Sequence, residues 1–391
     1  MNIICGNVLS HNIPTDKASL NEITFNPSFL GRQSLKTLKS DVATFSDIAK
    51  PFIKSPILKR DAIQPLVNPE MVQHLGNYFA TFNPGVIKDE KGGVHILIRA
   101  VRGENYPQLP FFSDLIYAHS KDGKNIDADS MKVMVKPTKR FPNGFEDPRI
   151  TKVEGDDNYN IICTGYDGKY PMMCHWQTSD LADKSKYQFV STIGPQKNVI
   201  KNGDDKDALL FPEKINGEYV LLHRIGANIQ AVFVDNLHKL KSKHFWKNQI
   251  KDIDKNTIMR NKPGTWENKL GGGAPPIKTK DGWLMLYHAS DKSGEGRQYC
   301  AGVALLDLNN PSIVIARAPN PILKPKTPYE KGGPVPGVVF PEGLVQNGDN
   351  LSVFYGCGDK NVGIAETKIS KLLKYVKQFD ENGQTKTTSS K

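Results

Sequence analysis

The feature that most constrains this chain is a spacing. Five segments each carry a proline, a short apolar strand, a turn of Gly, Asn or Asp, and then a strongly apolar strand. They read NPGVIKDEKGGVHILIRA from Asn83, DPRITKVEGDDNYNIICTG from Asp147, FPEKINGEYVLLHR from Phe211, PPIKTKDGWLMLYHA from Pro275 and FPEGLVQNGDNLSVFYGCGD from Phe340. Their prolines, Pro84, Pro148, Pro212, Pro276 and Pro341, fall at intervals of 64, 64, 64 and 65. A fixed period marks repeated supersecondary units that bury their faces only against their neighbours. Asn216-Gly217, Asp281-Gly282 and Asn347-Gly348-Asp349 are tight-hairpin turns, which need residues tolerant of positive φ. Stretches such as DLIYAHSKDG, QAVFVDNL and AGVALLDL bring each unit to about four strands. The pattern predicts an all-β chain: a five-bladed β-propeller over residues 66–375, with an N-terminal extension of about 65 residues and a polar tail over 376–391. The extension contains the helix-compatible SLKTLKSDVATFSDIAK and is expected to cap the propeller or to serve a homo-oligomer contact. The tail, ending ENGQTKTTSSK, is expected to be disordered.

Composition removes several classes. Of 391 residues, 38% are apolar, too many for a wholly disordered chain, and no run of about eighteen apolar residues offers a membrane span. The 52 Lys+Arg exceed the 41 Asp+Glu by 11, a field that favours anionic small molecules. The one basic run, Lys239, Lys241, Lys243, Lys247, Lys251, Lys255, Arg260 and Lys262, is broken by Asp252 and Asp254 and reads as a solvated face, so no nucleic-acid partner is expected. Cys5, Cys163, Cys174, Cys300 and Cys357 are odd in number and contain no CxxC pair; neither a zinc cluster nor a disulfide framework is expected, and the default location is the cytoplasm. The amino terminus, MNIICGNVLSHNIP, meets polar residues too early for a signal-peptide core.

Equivalent positions of a propeller face one another across its axis. The residues before the five prolines are expected to form one ring, Asn83, Asp147, Phe211, Pro275 and Phe340, in which Asp147 is the single titratable member. The ends of the second strands are expected to form another, Arg99, Gly165, Arg224, His288 and Gly356. Two arginines and a histidine from separate blades, with Lys206 and Asp359 close by in sequence, describe a site for an anion beside a carboxylic acid. Taken singly, Asp147 with Arg149 also reads as a structural ion pair and His288 as a core histidine. The nine histidines show no HExxH spacing, and there is no P-loop, Rossmann fingerprint or GxSxG elbow, so no metal and no cofactor are expected. Gly271-Gly272-Gly273 is expected to allow close backbone packing near the axis.

Gly144-Phe145-Glu146-Asp147-Pro148-Arg149-Ile150, Lys206-Asp207-Ala208 through Leu210-Phe211-Pro212-Glu213-Lys214, Gly273-Ala274-Pro275-Pro276-Ile277 through Gly282-Trp283 to Tyr287-His288, and Tyr355-Gly356-Cys357-Gly358-Asp359 together resemble glycoside hydrolase family 130. The resemblance runs from about Phe82 to Ala365 and implies a five-bladed propeller acting on β-mannosides, in most members as an inverting phosphorylase that releases α-mannose 1-phosphate. It implies that Asp147 is the catalytic acid, its proton travelling through a sugar hydroxyl. Lys206, Arg224 and His288 would hold phosphate, the co-substrate. Asp359, Phe340 and Arg99 would line the mannose subsite, and Asn83, Arg149 and Tyr299 are further substrate-binding candidates. The expected partners are therefore a β-mannoside oligosaccharide and phosphate. The chain departs from the family's phosphorylases after His223-Arg224, where Ile225-Gly226-Ala227-Asn228 replaces a proline-led segment near the leaving sugar.

Two rivals stand beside the phosphorylase. A propeller β-mannosidase using water needs a second carboxylate, for which Asp204, Asp205, Glu213 and Glu267 are available. A non-catalytic carbohydrate-binding propeller needs neither.

Overall fold

The structure, a computed structural model, describes residues 54, 58–61, 63–103, 105–195, 205–292 and 296–386. The helix-compatible patch at 34–50 and Asp204 lie outside them.

Five antiparallel sheets follow one another along the chain. Blade I comprises Ala80–Lys88, Val94–Arg102, Phe112–Ser120 and Ile126–Val135; blade II comprises Phe145–Lys152, Tyr159–Tyr166, Pro171–Thr178 and Gln188–Thr192. Blade III comprises Asp205–Leu210, Tyr219–Ile225, Asn228–Val234 and Thr257–Met259. In blade IV the innermost strand is split into Lys269–Gly272 and Ile277–Thr279, followed by Gly282–Ser290, Tyr299–Leu306 and Val314–Arg317. Blade V takes Val339–Asn347, Asn350–Cys357 and Asn361–Lys368, and its outermost strand is Lys59–Arg60 from the other end of the chain. Lys59 pairs with Glu366 and Arg60 with Ala365, so the propeller is closed by strand pairing between residues distant in sequence.

Five of the six hydrophobic clusters among the described residues lie between neighbouring blades. Within the second strand of blade I, Ile96 and Ile98 pack toward Phe354 and Val362 of blade V, whereas Leu97 packs toward Ile150 and Ile161 of blade II. In blade IV, Leu284 and Leu286 face blade V, and Met285 and Tyr287 face blade III. This two-sided burial explains why the strands read as continuous apolar runs: alternate side chains point to opposite faces, and both faces are covered.

The inner strands of blades I, II, III and V each break register at a bulge, between Phe82 and Pro84, Glu146 and Arg149, Lys206 and Leu209, and Pro341 and Gly343. The first three bulges hold Asn83, Asp147 and Asp207 at φ of 50°, 54° and 58°. The prolines of blades I, II and V sit at these bulges. In blade III the proline-based alignment is displaced: Asp207-Ala208 occupies the bulge, while Phe211-Pro212 follows the strand and Phe211 packs on Trp283, ring centroids 5.0 Å apart. In blade IV, Gly271 is the inner residue paired with His288, in place of the expected Pro275. In blade II, Thr164 rather than Gly165 pairs with Glu146, matching Arg99 opposite Phe82 and Arg224 opposite Lys206.

Within the segment 236–262, Leu237–Lys241, Lys243–Lys251 and Ile253–Asn256 form a helical cap that leads into the last strand of blade III. Ser242 accepts from the amide of Phe245 to start the helix Lys243–Lys251, whose buried Trp246 packs on His223 at 5.2 Å. The lysines of that run from Lys239 to Lys255 point into solvent, as expected of a solvated face. The tail departs from expectation. Helix Ile369–Val376 is amphipathic, and Phe379 beyond it is buried against Tyr375, while Asp380 accepts the amide of Arg317. Apolar Val376 and Phe379 at the head of an otherwise polar segment anchor it as far as Lys386.

Candidate active site

The inner strands begin, and the second strands end, at one mouth of the propeller. There a cavity of about 540 Å³ is lined by Asn83, Arg99, Asp147, Lys206, Arg224, His288, Tyr299, Phe340 and Asp359. These are nine of the ten residues singled out from the sequence. The tenth, Arg149, is buried beneath the cavity floor and does not line it.

Asp147 projects from a left-handed backbone position, which short polar side chains tolerate better than bulky ones. Its Oδ1 accepts from Asn83 Nδ2 at 2.8 Å and from Arg99 Nη1 at 3.1 Å. Burial pushes this carboxyl up, but Arg99, Lys206 and Arg149, with the Asn83 bond, outweigh it and hold it below the ordinary range. Glu146 stands beside it, accepting from Arg99 at 2.9 Å and from Lys206 Nζ at 3.2 Å.

A second cluster surrounds Asp207. Its Oδ2 accepts from Arg224 Nε at 2.6 Å and lies 3.3 Å from His288 Nε2. Burial is opposed by Arg224 and His288, so this carboxyl stays well below the ordinary range. For His288 burial dominates and lowers the pKa, while Asp207 pulls the other way. The imidazole stacks on Phe340 with ring centroids 3.8 Å apart, and Tyr299 meets Phe340 edge-on at 5.6 Å. The glycines of blade IV make room for this: a Cβ on Gly271 would collide with His288 Nε2, and one on Gly272 would lie 2.8 Å from the Asp207 carbonyl. The close packing expected of Gly271-Gly272-Gly273 is thus realised.

Asp359, at the third side of the cavity, accepts from Tyr106 at 2.9 Å. Burial raises its pKa to about 6, with Asp147 adding to the rise and Arg99, Tyr106 and Arg297 opposing it. Beyond it rises an apolar wall, Tyr106, Pro107, Leu109 and Phe111 from blade I with Tyr166 and Pro171 from blade II. Phe111 meets Tyr106 edge-on at 5.1 Å and stacks on Tyr166 at 6.2 Å.

Sequence reasoning missed Glu146, Asp207, Tyr106, Arg297 and the rest of this wall. Glu146 and Asp207 stood inside quoted motifs, and a carboxylate adjacent to each of Asp147 and Lys206 was the available signal. Of the carboxylates proposed as activators of water, the three among the described residues do not line the cavity. Asp205 pairs with His223 at 2.9 Å, Glu213 with Lys278 at 2.6 Å, and Glu267 with Tyr287 and Arg317. The arrangement unites buried carboxyl groups, basic groups that can hold a tetrahedral dianion by charge-assisted bonds, and polar and aromatic groups suited to a sugar ring.

Residues 52–378 match the family model described as beta-1,4-mannooligosaccharide phosphorylase. A 1,2-beta-oligomannan phosphorylase of a Thermoanaerobacter species is 37% identical over 313 residues, covering 79% of this chain and 96% of that protein. A beta-1,2-mannobiose phosphorylase from the same source is 35% identical over 326 residues, covering 81% and 98%. Among solved structures, beta-1,2-mannobiose phosphorylase from Listeria innocua in complex with beta-1,2-mannobiose aligns with a TM-score of 0.66 and 26% identity, over 82% of this chain and 99% of that one. With a family model covering most of its length and relatives above one-third identity, this chain belongs to glycoside hydrolase family 130, the mannoside phosphorylase family.

Proposed function

We propose that this protein is an inverting phosphorylase that cleaves a β-mannoside with inorganic phosphate, giving α-mannose 1-phosphate and a shortened sugar. The observation that carries the reading is the pairing of one acid, Asp147, with the pocket of Lys206, Arg224 and His288. Phosphate is already a competent nucleophile, so a single acid suffices. Holding it in line with the anomeric carbon removes much of the entropic barrier, up to ~7–11 kcal/mol in ideal cases. A phosphate oxygen forms the new bond to C1 as the glycosidic C–O bond breaks on the opposite face. The Asp147 proton reaches the departing oxygen through a mannosyl hydroxyl, and the proton lost from the phosphate ester restores Asp147.

The low pKa of Asp147 in the free protein fits this order of events. A dianion placed among Lys206, Arg224 and His288 offsets the cations that hold the carboxyl ionised, so phosphate binding favours the protonated acid. Asp359 and Arg99 would fix mannosyl hydroxyls, with Asn83 holding Asp147 and Phe340 and Tyr299 offering apolar faces. Hydrolysis is the weaker reading: of the three further carboxylates that line the cavity, Glu146 and Asp207 are each clasped by two basic groups, and Asp359 accepts from Tyr106 and is assigned to the mannosyl hydroxyls. We further propose a β-1,2 linkage, supported by the names of the two relatives above 34% identity. Cytoplasmic residence belongs to the same reading, supported by the buried free thiols Cys163, Cys174, Cys300 and Cys357.

The test follows mannose and α-mannose 1-phosphate separately, from β-1,2-mannobiose, with and without phosphate. The expected result is phosphate-dependent release of the ester, lowered about a hundredfold or more in Asp147→Asn. Equal cleavage in both conditions with mannose as the product would replace the phosphorylase by the hydrolase. Binding without turnover would leave a carbohydrate-binding propeller.

A further inference from the structure

Arg149 was expected at the substrate, yet its guanidinium turns away from the cavity and onto the propeller axis. Nη1 donates to the backbone carbonyl of Asp147 at 2.8 Å, Nε to that of Gly273 at 3.2 Å and Nη2 to that of Gly272 at 3.1 Å. Nη2 also lies 2.8 Å from Oε1 of Glu342 and 3.8 Å from Oδ1 of Asp207. One side chain of blade II therefore touches blades III, IV and V. Glu342 is fully buried at the blade V bulge, and among the described residues neither of its carboxylate oxygens has a hydrogen-bond partner outside that ion pair. A guanidinium so engaged, with only 1% of its surface exposed, is not available to a sugar.

We propose that Arg149, held against the buried carboxyl of Glu342, is a positioning residue that aims Asp147 at the departing oxygen. The inference rests on the reading of Asp147 as the acid. Asp147 holds a left-handed backbone conformation, so the direction of its peptide carbonyl and the direction of its carboxylate are tied. Arg149 grips that carbonyl and anchors it to two carbonyls of blade IV across the axis. A misplacement of about 1 Å is enough to cost a factor of about a hundred in rate. A lysine could satisfy the charge but not the three-way fork, because its ammonium is a point donor.

The charged and titratable groups around Asp147 are Arg99 of blade I, Glu146 and Arg149 of its own strand, Lys206 and Asp207 of blade III, His288 of blade IV, and Glu342 and Asp359 of blade V. Arg149 is among the cations that stabilise the ionised carboxylate. Its removal raises the pKa of Asp147, so activity that needs the protonated acid persists to higher pH.

The experiment compares the full-length wild type with Arg149→Met/Glu342→Gln, Arg149→Lys and Asp147→Asn. The double variant removes both members of the buried contact together, the condition under which such pairs are replaceable without unfolding. At saturating phosphate, it is expected to lower kcat about tenfold or more with mannoside KM within about twofold, and to move the alkaline limb of the kcat profile to higher pH. Phosphate's own ionisation is common to all variants and cancels in the comparison. Arg149→Lys is expected to give the same kcat loss with KM retained, and carries the test if the double variant does not fold. A folded variant with wild-type kcat, or one whose loss follows its thermal midpoint with an unmoved alkaline limb, overturns the positioning role. Wild-type turnover in Asp147→Asn would instead remove the acid assignment itself, an outcome distinct from failure of the Arg149 variants alone.

Discussion

Among the described residues, five that are not glycine have a left-handed backbone: Asn83, Asp147, Asp207, Asn216 and Asp359. Asn216 serves a hairpin turn; the other four line the cavity. Such conformations cost about 1–3 kcal/mol each and persist where the surroundings over-determine them. Here they turn side chains that would point between blades toward the axis. Their carboxylates titrate in opposite senses. Asp207 lies well below its ordinary value, so its contribution to stability is full above the unfolded pKa and is lost as pH falls through the folded one. Asp359 is raised by burial to about 6, so the folded state holds more protons than the unfolded one between about 4 and 6, and this residue's contribution falls as pH rises through that window. If ionised Asp359 accepts mannosyl hydroxyls, mannoside KM at saturating phosphate is expected to rise as pH is lowered from 7 to 5. In Asp359→Asn it is expected to be high and flat. A pH-independent KM in the wild type would detach Asp359 from sugar binding.

At the scale of elements, the hairpins of blades I, II and V were legible because proline, turn and apolar strand recur in one order. Blade III was misaligned for a physical reason. Its bulge carries Asp207-Ala208, and alanine gives none of the signal that proline gave at Pro84 and Pro148; the proline that preserved the spacing, Pro212, stands past the strand end. The contact of Glu342 with Arg149 was equally unreadable, since it depends on which way a bulge turns a side chain and on a partner across the axis. The blade I part of the apolar wall belongs to the connection between that blade's second and third strands, where no periodicity exists to read. Leu109 lies at its rim and is 49% exposed, so truncating it costs the fold little. We expect Leu109→Ala to raise mannoside KM about fivefold, in line with removal of about 1 kcal/mol of apolar burial against the departing sugar, and to leave phosphate KM and the thermal midpoint unchanged. Equal changes in both Michaelis constants would place the departing sugar elsewhere.

For the whole molecule, closure is the structural problem, because an open ring would leave two sheet faces and two strand edges unpaired. Lys59–Arg60 supplies the last strand, ahead of the boundary read from the repeats. Arg60 also fastens the wall between blades IV and V. Its Nη1 lies 3.0 Å from Oε1 of Glu330, a fully buried carboxylate that accepts from Tyr355 at 2.9 Å and from the amides of Lys326 and Thr327 at 2.6 and 2.9 Å. Glu330 in turn receives the chain that continues through Val335 and Val338, both on the cavity wall, to Phe340: its carbonyl accepts the amides of Gly337 and Val338. Removing one partner of a buried pair costs about 3–5 kcal/mol when the other charge is left uncompensated. Three remaining donors to Glu330 reduce the penalty, so Arg60→Ala is expected to destabilise by roughly 2–3 kcal/mol, and Arg60→Lys by less. Because the pair holds both the closing strand and the segment leading to Phe340, the same variant is expected to raise mannoside KM at temperatures well below its thermal midpoint. Chemical denaturation with parallel kinetics decides the matter: an unaltered midpoint would show that closure depends on the strand pairing of Lys59 and Arg60 alone, and reduced stability with unchanged KM would uncouple closure from the site.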